Sequence, residues 1–210
     1  MPTFIKPGFW EKAKKGYKDW LNLDLLIESK IPVTPTPTLP YKVYTALLTQ
    51  SGGDTLSALS FDDTPGGPDF IIGVTYQIVD NTVGLDVTNI GAPNNEVGTY
   101  FVATGTRPAN WGEGSLIYNT GAPVVTVLEN TLGNVWFTYV GIGQYLLISN
   151  GLFVNNKSWY TIFTGDLMNN SLYQEMFIDS VSVVSIQSFG DTITANGVLT
   201  NVPIEIRVYN

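Results

Sequence analysis

Beyond Tyr41, short runs rich in Val, Ile, Thr, Tyr and Phe alternate with clusters rich in Gly, Pro, Asn and Asp. Such runs are typical of β-strands, and the clusters between them are typical of turns. We therefore predict a mainly β body of about ten short strands, arranged as an antiparallel sandwich or a barrel-like body. The predicted strand segments are YKVYTALLTQ, FIIGVTYQIV, GTYFVATG, PVVTVLEN, NVWFTYVG, QYLLISNG, WYTIFTG, EMFIDSVSVVSIQS and VPIEIRVYN.

The last segment alternates regularly between two kinds of side chain. Because successive side chains of a strand point to opposite faces, one face should be buried and the other should meet solvent or a neighbour. The face that we expect to be buried carries Val202, Ile204, Ile206 and Val208. By contrast, the stretch from Val181 to Ile186 is apolar on both faces, which is typical of a central strand or of an interface.

The first forty residues follow a different pattern. The segment DWLNLDLLIES predicts a short helix that begins at Asp19, and Pro7 and Gly16 interrupt any longer helix. The segment IPVTPTPTLP contains four prolines, which fix φ and remove backbone donors. We predict a partly helical arm over residues 1–30 and an extended, semi-rigid linker over residues 31–40.

Charge also separates the arm from the rest of the chain. Residues 1–30 hold six basic and four acidic side chains, a net charge of +2, whereas residues 31–210 hold four basic and fourteen acidic ones, a net charge of −10. Aromatic side chains interleave with the lysines of the arm, a combination that suits docking to another protein. The predicted docking residues are Phe4, Phe9, Trp10, Lys12, Lys14, Lys15, Tyr17 and Trp20.

Two other roles for the arm stay open at this point. It could fold back onto its own β body, or it could be a basic amphipathic membrane anchor. The acidic side chains of Asp19, Asp24 and Glu28 break up the basic face and disfavour the anchor. No stretch approaches the roughly 18 apolar residues that span a bilayer, and the first residues lack the apolar core of a secretory signal. We expect a soluble protein that the general secretory route does not export.

The composition excludes most familiar catalytic sites. The chain has no His and no Cys, so imidazole bases, thiolate nucleophiles, disulfides and the commonest zinc ligands are missing. A formal net charge of −8 opposes non-specific binding to nucleic acid. Catalysis would have to use paired carboxylates, as in glycan cleavage. The candidates lie mostly in turn-like segments, so we predict no enzyme activity; they are Asp62, Asp63, Asp69, Asp86, Glu129, Asp166 and Glu175.

Two loop motifs and three tryptophans were weighed as possible binding sites. The acidic loop SFDDTPGGPD lacks the spaced ligands of a calcium loop, and GIG at residues 141–143 predicts a turn between two strands. We predict neither a metal nor a cofactor. Trp136 and Trp159 lie in predicted strands and are expected in the core, whereas Trp111, beside Pro108 and Gly112, is the candidate glycan contact.

Several segments of the chain resemble modules of tailed bacteriophages. YKVYTALLTQSGG followed by VVTVLENTLGNVWFTYVGIGQYLL resembles a module of virion and fibre-associated proteins, especially in crAss-like phages of gut Bacteroidota. In that module the two segments are nearly continuous, whereas here residues 54–121 intervene. The intervening GVTYQIVDNTVGLDVTNIGAPNNEVGTYFVATGTRPANWGEGSLIYN resembles a second phage module, although it has GLDV where that module has Gly-Asp-Asp-Phe. The opening FIKPGFWEKAKKG is similar to the arm of head-fibre proteins.

The resemblance implies a structural virion protein, a head fibre or a fibre adaptor, made in the bacterial cytoplasm and located on the capsid surface. It implies a capsid-docking arm (residues 1–30), the linker (31–40), a β module (41–53 and 122–210) and an inserted β subdomain (54–121). The alternative is a carbohydrate- or receptor-binding module of a tail fibre. Weak arm contacts would be multiplied by a symmetric homo-oligomer, for which we favour a trimer. Another fibre protein or a host glycan is an open partner.

Overall fold

The computed structural model describes residues 15–18, 39–62, 67–163, 172–190 and 193–210. The chain divides into two compact units, residues 1–39 and residues 40–210. Within the first unit, residues 15–18 form a helical turn, and the helix predicted from Asp19 lies outside the described residues. The described part of the second unit forms thirteen strands, namely β1 (Tyr41–Thr49), β2 (Leu56–Asp62), β3 (Thr75–Val83), β4 (Tyr100–Val102), β5 (Glu113–Asn119), β6 (Val124–Asn130), β7 (Val135–Gly141), β8 (Gln144–Ser149), β9 (Ser158–Ile162), β10 (Leu172–Ile178), β11 (Val183–Gly190), β12 (Ile193–Thr194) and β13 (Val202–Tyr209).

Sheet I has the strand order β6-β1-β13-β9. Its central pair is a regular antiparallel ladder from Tyr41 opposite Tyr209 to Leu48 opposite Val202. The alternation in β13 has the predicted effect, because its four aliphatic residues at even positions are buried while the residues between them are partly exposed. The strand YKVYTALLTQ also pairs with β6, so the chain on both sides of residues 54–121 contributes to one sheet.

Sheet II has the order β10-β11-β8-β7, with β12 added to β11. β7 and β8 form a hairpin whose turn includes Ile142 and Gly143, so the turn predicted from GIG is confirmed. Gly143 has a φ of +65°, and a Cβ there would lie 2.4 Å from the carbonyl oxygen of Ser188. Only glycine therefore fits this turn. The doubly apolar segment was predicted to be central or at an interface, and its part in β11 is central, because β11 lies between β10 and β8.

Sheets I and II share one hydrophobic core. The rings of Tyr44 in sheet I and Phe137 in sheet II approach to 6.4 Å between centroids. Each fully buried large side chain contributes about 1.5–3 kcal/mol to folding. The body is therefore a mainly β, antiparallel, sandwich-like fold, as predicted, and not a closed barrel. The fully buried residues from both sheets include Tyr44, Leu48, Phe137, Tyr145, Leu147, Ile186, Ile204 and Ile206.

Sheet III, with the order β2-β5-β3-β4, is formed by the chain between β1 and β6. It covers a second hydrophobic core, which contains Phe70, Tyr76, Ile78, Leu85, Phe101 and Leu116. Sheet III is joined to the sandwich by hydrogen bonds from the Val125 amide to the Gly73 carbonyl at 2.9 Å and from the Phe137 amide to the Thr75 hydroxyl at 3.1 Å. These bonds fix the junction at which β4 and β7 meet.

The structure corrects three details of the strand prediction. The single segment EMFIDSVSVVSIQS forms parts of two paired strands, β10 and β11, because the polar stretch from Asp179 to Ser182 makes the turn between them. β2, β5 and β12 had no predicted counterpart. The beginnings of β2 (LSALS) and β5 (EGS) lack the β-branched and aromatic residues that mark a strand, and β12 has only two residues. Trp159 was predicted to be buried, but it is 45% exposed on β9 at the edge of sheet I.

Candidate functional site

Two of the eight predicted docking residues fall within the described residues. Lys15 and Tyr17 lie in the helical turn over residues 15–18, and both are exposed. The other six, Phe4, Phe9, Trp10, Lys12, Lys14 and Trp20, lie outside the described residues. The docking role of the arm therefore stays a prediction.

The predicted glycan contact, Trp111, lies at the edge of the second core. It is half-buried and packs against the apolar residues of that core. Gly112, which follows it, has a φ of +44°, and a Cβ there would lie 2.1 Å from the Val83 carbonyl oxygen. This tight turn before β5 precedes the strand that carries the core residue Leu116, and the role of Trp111 as a glycan contact stays a prediction.

The described carboxylates that were candidates for catalysis lie on different elements of the fold. Asp69 pairs with Arg107 at 3.2 Å on the surface, and Glu129 and Glu175 are exposed on the edge strands β6 and β10. Within the described residues, no group of three or more acidic side chains is placed to hold a metal ion. The side chains of Asp62, Asp63 and Asp166 lie outside the described set.

Asp86 caps a loop of sheet III. Its Oδ1 accepts hydrogen bonds from the Thr88 hydroxyl at 2.7 Å, the Asn95 amide at 3.0 Å and the Thr88 backbone amide at 3.0 Å. These bonds hold the pKa of Asp86 below its usual value. A general acid needs a raised pKa, so this carboxylate is suited to fixing the loop and not to donating a proton.

Arg207, a partly exposed cation on sheet I, already has partners. The guanidinium carbon of Arg207 lies 4.9 Å from the centre of the Tyr41 ring and 5.1 Å from that of Trp159. Its Nε also donates a hydrogen bond to Glu205. Because its charge is both stacked and paired, Arg207 is not a bare cation for an anionic ligand.

A cleft opens where sheet III meets sheet II, and we call it the Tyr118 cleft. Its volume is about 170 Å³. Sheet III supplies residues from β3, β4 and β5, and sheet II supplies residues from β7. The side chains that define it are Gln77, Tyr100, Tyr118, Asn119, Thr138 and Tyr139.

A second cleft, the Asn134 cleft, adjoins the same junction and has a volume of about 450 Å³. Its polar side chains come from the loop before β4, the residue before β7 and the residue after β8. The defining residues are Asn94, Glu96, Tyr100, Asn134, Trp136 and Asn150. Tyr100 belongs to both clefts and is their common wall.

Tyr100 is held in place by its neighbours. Its ring stacks on Trp136, with centroids 5.5 Å apart and planes inclined by 11°. The side-chain amide of Asn134 donates to the Tyr100 carbonyl at 3.0 Å. Trp136 is buried, as predicted. The Tyr100 ring covers it from solvent. The ring of Tyr100 is therefore held in a fixed orientation between the two clefts.

The residues of these clefts are far apart in the sequence, and no local motif marks them. Asn134 and Asn150 follow turn patterns, and Tyr100 belongs to an ordinary strand pattern, GTYFVATG. Only the return of the chain from sheet III to β6 and β7 brings them together. Sequence reasoning had no signal that selected these residues over the other aromatic and amide side chains.

Comparisons of the chain with protein-family models, with curated proteins and with solved structures find no match. In the described residues, no helix has the length and apolar character needed to cross a membrane.

Proposed function

We propose that this protein is a structural virion protein of a crAss-like tailed bacteriophage, either a capsid-attached head fibre or a fibre adaptor. The observation that carries the proposal is the difference in charge and composition between the arm and the β body. A basic, aromatic arm precedes a strongly acidic β body, and the boundary between compact units falls at residues 39 and 40, at the end of the proline-rich linker. An attachment segment joined by a spacer to an outward-facing body needs this arrangement.

The arm would dock on the capsid protein, and the β body would project from the capsid surface. Interfaces favour aromatic side chains, and the arm carries Phe4, Phe9, Trp10 and Trp20 within its thirty residues. A short arm buries little area in one copy. Several copies in a symmetric homo-oligomer, with a trimer favoured, would multiply the attachment.

The outer face of sheet II is the surface that we propose for contact between copies. Tyr173 and Phe189 stack there with centroids 4.4 Å apart and planes inclined by 9°. Phe177, on the same face of β10 beyond Glu175, is 41% exposed. Exposed aromatic surface of this kind is typical of a protein interface. The core residues Val184 and Ile186, by contrast, are fully buried within one chain and cannot be part of that contact.

The test compares full-length variants for attachment to particles. The triple variant Phe9→Ala, Trp10→Ala, Trp20→Ala should lose most of its association with purified particles of the phage that encodes the protein. Trp159→Ala, which removes an exposed aromatic from the body, is the control and should attach normally. Normal copy number for the triple variant on purified particles would contradict the proposal.

A second candidate function is a carbohydrate- or receptor-binding module of a phage fibre. The observation that favours it is the pair of clefts around Tyr100, where aromatic rings and side-chain amides line the same junction. The two functions are compatible, because the arm would attach the protein and the body would bind the host surface.

A further inference from the structure

We propose that the Tyr118 and Asn134 clefts together form one binding site for an uncharged oligosaccharide, with Tyr100 between two subsites. The inference rests on the second candidate function and assigns it a place and a ligand class. It places the glycan contact at these clefts and not at Trp111, which lines neither of them.

The shapes of the clefts favour an extended ligand over a single small molecule. Tyr100 lines both clefts, so a chain of two or more sugar rings can occupy one cleft on each side of it. The larger cleft, about 450 Å³, has the size of ordinary ligand sites. Both walls come from sheets with their own cores, so the site exists before the ligand arrives.

The aromatic rings supply flat apolar surface. Tyr100, Tyr118 and Tyr139 all line the Tyr118 cleft, and each is partly exposed. Pyranose rings present an apolar face of C–H groups, and an aromatic ring covers such a face while its hydroxyl reaches a polar partner. Tyr100 is the best placed, because its stack on Trp136 fixes the orientation of the ring.

The polar groups match sugar hydroxyls, which both donate and accept hydrogen bonds. Side-chain amides have the same double capacity, and Gln77, Asn134 and Asn150 contribute one each. Asn134 donates from Nδ2 to the Tyr100 carbonyl, which leaves its Oδ1 as an acceptor for a ligand. The Thr138 hydroxyl adds a group of the same dual kind on β7.

The charges select an uncharged sugar. Among the described residues, no Lys or Arg lines either cleft, and Glu96 adds a carboxylate to the Asn134 cleft. Residues 31–210 have a net charge of −10. A sialylated or sulfated glycan would therefore meet repulsion without a compensating cation, whereas an uncharged glycan would not.

The test uses the full chain against an array of uncharged oligosaccharides built from hexoses and N-acetylhexosamines, with sialylated and sulfated glycans on the same array. Asn150→Ala and Thr138→Val each remove one polar group from the clefts. Their matched controls are Asn155→Ala, in the same connection after β8, and Thr161→Val, on β9 of sheet I. Asn150 and Asn155 are both exposed, so neither alanine affects a buried contact.

We expect wild type and both controls to bind at least one uncharged oligosaccharide. Each cleft variant should bind it about tenfold more weakly, the equivalent of one lost hydrogen bond of about 1.4 kcal/mol. Binding only to charged glycans, binding to none, or equal binding by cleft variants and controls would overturn the inference. Binding of a peptide in the clefts by a protein that binds no sugar would also overturn it.

The outcome is separable from the proposed virion function. The arm variant Phe9→Ala, Trp10→Ala, Trp20→Ala should bind the same oligosaccharide as wild type, and Asn150→Ala should attach to particles as wild type does. If sugar binding fails while attachment through the arm is normal, only the cleft assignment is wrong.

Discussion

Tyr44 and Tyr145 lie in the same core, but their hydroxyl groups differ in partners. The Tyr145 hydroxyl donates to Gln50 Oε1 at 3.1 Å, and Gln50 Oε1 also accepts from the Gly197 amide at 2.6 Å. The Tyr44 hydroxyl is buried and has no hydrogen-bond partner among the described residues. The Tyr145 hydroxyl therefore links sheet II to the end of β1. The Tyr44 hydroxyl loses its hydration on folding and gains no hydrogen bond in exchange.

Tyr44→Phe should stabilise the body by about 1 kcal/mol, because it removes a buried hydroxyl that forms no hydrogen bond. The matched change, Tyr145→Phe, should destabilise it by about 1 kcal/mol, because it leaves Gln50 with a lost partner. Urea unfolding of the full-length variants, followed by tyrosine and tryptophan fluorescence, measures both. A lower unfolding midpoint for Tyr44→Phe than for wild type would contradict the assignment.

Alkaline pH should destabilise the body through its buried tyrosines. Burial raises the pKa of Tyr44, Tyr76 and Tyr145 above the ordinary value of 10.0. The unfolded chain releases these protons near pH 10 while the folded body retains them. The stabilisation is therefore complete below pH 10 and is lost as the pH rises toward the folded-state values.

The expected readout is a free energy of unfolding that falls above about pH 10, with a shallower fall in Tyr44→Phe, which lacks one of the three groups. Urea unfolding curves from neutral pH to about pH 11 measure the slopes. Identical slopes for the variant and wild type would show that Tyr44 ionises equally in both states.

Asp86→Ala should loosen the loop between β3 and β4 and destabilise the body by about 1 kcal/mol at neutral pH, because three hydrogen bonds to the carboxylate disappear. The pKa of Asp86 is lowered from 3.8, so its stabilisation is present above pH 3.8 and is lost as the pH falls through the folded-state value. The variant should therefore show a smaller loss of stability in acid. Asp80→Ala, on the exposed part of β3, is the comparison, and equal acid responses of the two variants would refute the role of Asp86.

The outer face of sheet II should hold the copies of the chain together. Phe177→Lys places a charge on that face and should convert the oligomer to monomers without unfolding it. Val184→Asp, by contrast, buries a carboxylate in the core of one chain and should unfold the body. Light scattering with circular dichroism distinguishes the two outcomes. A monomeric mass for the unmutated protein at micromolar concentration would contradict the assembly.

The sequence predicts those elements whose local pattern and final environment agree. β13 is one example, because its alternation of aliphatic and polar residues corresponds to one buried and one partly exposed face. β2 was missed because LSALS is poor in β-branched and aromatic residues, and only its pairing with β5 makes it a strand. Pairing between distant segments overrides local preference here.

Trp159 shows the limit for site residues. Its segment, WYTI, is apolar enough to predict burial, but β9 is an edge strand and Trp159 faces outward beside Arg207. The clefts around Tyr100 also could not be predicted from the local sequence pattern. Their walls are built by strands of two sheets, so no spacing along the chain reveals them.

The central claim is that the arm attaches this protein to a capsid while the β body projects outward. The most direct measurement is a density map of intact particles of the phage that encodes the chain. The account predicts density for residues 1–30 against the capsid shell and a symmetric set of β bodies outside it. Particles that lack the protein, or a map in which the β body and not the arm meets the capsid, would contradict the account.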